Sequence, residues 1–162
     1  MGQHVPEVQH PPHPLDLART TVILAAAAGV ALAAAVGAPA AGKQVVLGSP
    51  RFATAAGATG WGKARPPVIF NGGDPSGRAW KIRWSGWGSK SAIGYGLTSI
   101  FQPGGGYYGK PAEIELHAFA LGRCVRGGPR AYTRLQIRVP PKPGGKLGRW
   151  RNWSGAATIC HR

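Results

Sequence analysis

From Pro67 onward the chain alternates apolar and polar residues with a period of two. That is the signature of strands with one face buried. "RAWKIRW" (78–84) places Trp80, Ile82 and Trp84 on one side and Ala79, Lys81 and Arg83 on the other. This pattern assigns Trp80 and Trp84 to the core beside Ile82. Residues 91–101, "SAIGYGLTSIF", put Ile93, Tyr95, Leu97 and Phe101 on one face. The opposite face carries Ala92, Gly94, Gly96 and Thr98 and is nearly bare, so a ring or another segment is expected against it. "AEIELHAFAL" (112–121) turns Ala112, Ile114, Leu116, Ala118 and Ala120 inward, with Glu113, Glu115 and His117 outward. "AYTRLQIRV" (131–139) turns Ala131, Thr133, Leu135, Ile137 and Val139 inward, with Tyr132, Arg134, Gln136 and Arg138 outward. "VIF" (68–70) reads as a short strand, and a final strand is expected to carry Cys160.

Turn chemistry separates these runs. In "NGGDPSG" (71–77) Asp-Pro starts a turn and Gly supplies positive φ. Asp74 is expected to accept hydrogen bonds from its own turn. If 112–121 and 131–139 pair across a turn near Arg126 and Gly127, Glu115 faces Arg138 and Phe119 faces Arg134. Such exposed cross-strand pairs contribute about 0.2–1 kcal/mol each. No amphipathic helix of ordinary length follows residue 41. The chain is therefore expected to be all-β, a small antiparallel sandwich or barrel.

The first 66 residues read differently. Thr21–Val36, "TVILAAAAGVALAAAV", is uncharged, and Ala38-Pro39-Ala40 has the A-x-A form of a signal cleavage site. The run is short and Ala-rich for a bilayer span. It predicts a signal-peptide helix in residues 1–40, cut after Ala40 or Ala41. The 20 residues before it carry Glu7, Asp16 and Arg19, so the expected positive n-region is weak. An uncleaved anchor, an ordinary buried Ala-rich helix or a downstream start are the alternatives, and only the anchor would put the protein on a membrane. Residues 41–66 are small and Gly/Ala-rich, expected as a linker or a loose first strand at Gln44–Leu47. The β domain is then 67–162.

Charge narrows the choice of partners. The 162-residue chain is formally +15, with 20 Lys+Arg against 5 Asp+Glu. After cleavage the balance is 19 basic to 3 acidic side chains: Asp74, Glu113 and Glu115. The cations are dispersed through ordered-looking strands and form no basic tail. Cys124 and Cys160, the two cysteines, both fall in the exported part. In an oxidising compartment they predict one disulfide closing a loop of about 37 residues, worth about 4 kcal/mol in the chain-entropy model. A zinc site lacks C-x-x-C spacing and enough histidines.

Enzymatic signatures are weak. "GGGYYG" (104–109) matches G-x-G-x-x-G, yet an alternating strand follows where a nucleotide site needs a helix. Glu113 and Glu115 lie about 7 Å apart on one strand, a spacing that invites comparison with glycosidase carboxylate pairs. Their place on one exposed face, near arginines, reads instead as salt-bridging. No G-x-S-x-G, S-x-x-K or H-E-x-x-H occurs in the exported part, and no cofactor or metal site is expected. The aromatic and basic residues remain. Trp87, Trp150 and Trp153, with Tyr107 and Tyr108, are the expected exposed rings. Lys81, Arg83, Arg149 and Arg151 supply the neighbouring cations. Rings beside arginine stack on sugars or bases, and cations attract phosphate or uronate.

"PVIFNGGDPSGRAWKIRWSGWGSKSAIGYG" (67–96), "AEIELHAFALGRC" and "RAYTRLQI" together resemble small secreted proteins of high-GC actinobacteria. The shared features are a GDPSG turn, a W-x-x-W-G strand end, an A-x-G-x-G strand and a late LGRC, over about residues 66–138. The resemblance implies export and one small β domain, and it carries over no catalytic residue. The expected role is that of a secreted protein binding anionic polymers or glycans of the cell envelope weakly and electrostatically. The same charge admits non-specific binding of nucleic acid. A secreted hydrolase or an enzyme inhibitor acting through its loops is the second reading.

Overall fold

Seven strands form one curled sheet, a half-barrel, in a computed structural model that describes residues 44–160. They are β1 (Val46–Leu47), β2 (Ile69–Phe70), β3 (Arg78–Ser85), β4 (Ala92–Thr98), β5 (Ala112–Gly122), β6 (Ala131–Arg138) and β7 (Arg151–Asn152). The order is β1-β6-β5-β4-β3-β2, with β7 also on β6. All pairings are antiparallel except β1 with β6, which is parallel, so the sheet is mixed where an all-antiparallel one was expected. The expected signal-peptide helix of 1–40 lies outside the described residues.

The long hairpin β5–β6 has the register that the sequence predicts, with Glu115 opposite Arg138 and Phe119 opposite Arg134. The bare face of β4 is the inner one. A Cβ built on Gly94 would stand 3.0 Å from the Trp84 ring and from Ile82, so glycine is what lets the indole lie on the strand. The same packing turns Ile93, Tyr95 and Leu97 outward.

Two alternations break. In β3 Lys81 takes φ 52, and the pairing steps from Trp80–Leu97 to Arg83–Tyr95. One extra residue on β3 makes a bulge, and a bulge swaps faces. Ala79 is therefore buried and Trp80 turns outward, half-exposed, with the Arg78 guanidinium 5.8 Å from its ring. The core place expected for Trp80 is thus corrected, whereas Ile82 and Trp84 do face inward. In β5 Ala120 takes φ 56 and turns outward instead of inward. Beyond it Leu121 packs on the core, and its partner Tyr132, expected outside, is wholly buried.

Of the two readings of 41–66, a first strand at Gln44–Leu47 is met in part by β1, whereas the linker does not hold over 44–66. Leu47, Phe52 and Trp61 are all core residues. Trp61 packs on Phe52 at 4.5 Å and on Trp153 at 6.0 Å between centroids. This segment and the chain end cover the concave side of the sheet, which a single sheet needs to bury its apolar face. The final segment also differs from expectation. β7 holds only two residues, a 3-10 turn follows at Trp153–Gly155, and Cys160 lies beyond any strand. Ile159 holds that end in place. Its N–H donates to the Thr133 carbonyl, and its carbonyl accepts from Ser49 N–H. The Cys124–Cys160 disulfide is formed, with Cα atoms 4.6 Å apart.

Four indoles staple segments that lack regular pairing. Trp61 donates to the Phe70 carbonyl, Trp84 to Pro66, Trp87 to Val45, and Trp153 to Asn71 Oδ1. Each ring fills apolar space while its N–H satisfies an acceptor on another segment. That explains how a chain with few leucines uses tryptophan.

Candidate functional site: the outer face of the sheet

Because β3, β4, β5 and β6 pair in register, their outward side chains fall into cross-strand rows. One row runs Arg83–Tyr95–Glu115–Arg138. The next runs Trp80–Leu97–Glu113. A third includes Ile93, His117 and Gln136. Chain segment 139–150 returns over this face on its way to β7. Its Pro140, Gly144, Gly145 and Leu147 wall an open groove of about 770 Å³ against Lys81, Arg83, Tyr95, Leu97, Glu113 and Glu115. Tyr95 is 49% exposed there, one of three large apolar side chains left in solvent among the described residues.

The groove has fixed charges. Arg138 Nε donates to Glu115 Oε2 at 2.8 Å, and Nη2 donates to the same oxygen. The Arg138 guanidinium also lies 4.9 Å from the Trp150 ring, which leans on His117 at 5.7 Å. His117 in turn stacks on Phe119 at 4.8 Å. Arg138–Glu115 is the one ion pair among the described residues. It confirms the salt-bridge expectation for Glu115, and Glu113 remains exposed beside it. Two carboxylates side by side on one strand, one already paired to arginine, do not divide into a general acid and a base. Among the described residues no cluster of three or more His, Cys, Asp or Glu could hold a metal ion.

The residues singled out from sequence separate into three places. Lys81 and Arg83 are exposed on the groove rim, and Trp150 lies half-buried on the same outer face. Arg149 and Arg151 are exposed near the chain's return to β7. Trp153 is only 2% exposed, so the expectation of an exposed ring is overturned: the 3-10 turn swings it into the core. Trp87 is also no free ring. It is half-buried, edge-on to Trp84 at 4.9 Å and to Tyr132 at 5.1 Å. Tyr107 and Tyr108 belong to the separate β4–β5 loop and are half-buried. There Tyr107 stacks on Phe101 at 4.4 Å and its hydroxyl donates to Asp74 Oδ1. Asp74 also accepts from the Ser76 N–H at 2.8 Å and from its hydroxyl, the turn role expected of it. These bonds, the Ser76 hydroxyl first, hold the Asp74 carboxyl below its ordinary pKa. Desolvation, then the bond to Asp74, pushes the Tyr107 phenol up.

Tyr95 is the groove residue that sequence reading passed over. The signal was present: once the Gly94–Gly96 face receives a ring, Tyr95 must point to solvent. No protein-family model, curated protein or solved structure matches this chain.

Proposed function

We propose that the protein is exported and acts by binding, holding anionic polymers of the cell envelope on a cationic β domain. The observation that carries this reading is the unpaired charge. Residues 44–160 hold 17 basic and 3 acidic side chains, and only Arg138 has an acidic partner among them. The remaining cations stay solvated and available to phosphate or carboxylate groups. The formed disulfide favours an oxidising compartment. Among the described residues no helix is long and apolar enough to cross a membrane.

A pull-down with purified cell-wall fractions at about 0.05 M and about 0.5 M salt tests the reading. Retention at the lower concentration and release at the higher one is the expected result. Equal retention at both, or none at either, overturns it.

A further inference from the structure

Two of the three acids in the described residues, Glu113 and Glu115, line the one groove that also exposes Tyr95. In a domain this cationic, that placement makes the groove less attractive to a polyanion than the surrounding cationic surface. Lys81 and Arg83 line the same groove as Glu113, and Arg138 already closes on Glu115. What the groove offers is different: a ring, fixed donors and fixed acceptors. Tyr95 gives an exposed aromatic face, and Leu97 and Leu147 give apolar flanks. Arg83 and Lys81 donate. The Glu115 carboxylate is held through Oε2, and its Oε1 takes no hydrogen bond from the described residues. Arg83, Tyr95 and Glu115 stand on three adjacent strands, so their Cα atoms span two strand spacings, about 10 Å.

We infer that this groove is a saccharide subsite that takes an uncharged sugar unit of a glycan, its ring against Tyr95 and its hydroxyls between Arg83 and the two carboxylates. A sugar presents C–H faces that pack on an aromatic ring, and hydroxyls that both donate and accept. Charged partners of both signs satisfy both roles. The two carboxylates select against a phosphorylated or uronate residue at this position. The inference does not rest on the polyanion reading, because it concerns binding that salt does not screen.

Neutral probes test it: tetrasaccharides of N-acetylglucosamine and of glucose, titrated calorimetrically into the full domain in about 0.5 M salt. At least one is expected to bind. Tyr95→Ala should weaken that binding roughly tenfold or more through lost stacking. Leu147→Arg, on the opposite wall, should weaken it from a separate loop, so the result does not hang on one variant's folding. Retention of Tyr95→Ala on phosphocellulose at low salt should match the parent. If neither tetrasaccharide binds, or if binding survives both substitutions, the inference is overturned. Salt-sensitive phosphocellulose retention in that case leaves the polyanion reading intact. Neutral-sugar binding without such retention would sustain the groove and sink the polyanion reading.

Discussion

Lys81 shows how one residue redirects a face. Its φ of 52 lies in the left-handed region, which a lysine enters only at a cost that the bulge imposes. Glycine there should keep or slightly raise stability, while Lys81→Val should lose about 1–3 kcal/mol by urea denaturation, since a β-branched side chain fits that region worst. Nothing in "RAWKIRW" marks the bulge, because no glycine sits at the irregular position. Strict alternation therefore put Trp80 on the wrong side. Gly94 is the opposite case, since its missing side chain was legible as a contact surface. Gly94→Ala should lose about 1–3 kcal/mol in the same measurement by pressing a methyl into the Trp84 ring. Asp74 carries the pH dependence of the turn–loop contact. Its folded pKa is depressed, so the stabilisation is present above the ordinary carboxylate value of 3.8 and fades as pH falls through the lower folded value. Protection of the β4–β5 loop amides, taken relative to their intrinsic exchange rates, should fall over that acid range in the parent protein. In Asp74→Asn that protection should be alike at both ends of the range. Persistent protection of the parent loop at low pH would refute the latch.

At the scale of elements, long strands were more legible than short ones, although β2 matches the short strand read at 68–70. β5 and β6 run for 11 and 8 residues, enough alternation to fix their register and most of their faces, though Ala120 and Tyr132 fall on the sides opposite to expectation. β1 and β7 hold two residues each, below the length at which a period shows. Segment 44–66 hid for another reason. Its rings enter the core from irregular backbone, so its buried positions follow no period of two. The groove was half legible. Lys81 and Arg83 were found because they alternate, whereas Tyr95 and the wall at Pro140–Leu147 depend on which way β4 faces and on a loop's path. If 44–66 belongs to the fold, Trp61→Ala should cost about 3–5 kcal/mol, as core truncations of aromatics do. A loss below about 0.5 kcal/mol in urea denaturation would return the segment to linker status.

The whole molecule combines a modest core with excess like charge. Self-repulsion among so many cations works against compactness. The Cys124–Cys160 bridge counters this by tying the chain end to the turn after β5. Its removal by a double Cys→Ser change should lower stability by about 4 kcal/mol in the chain-entropy model, and added salt should restore part of the loss by screening. The same unpaired cations are the binding surface in our account. The most direct test of that claim is the slope of log affinity against log salt for a soluble polyphosphate, measured on the disulfide-bonded domain. A straight line of slope about −3 or steeper, reflecting several counterions released per complex, is the predicted outcome. A slope near zero would mean that the surplus charge binds nothing and would contradict the account.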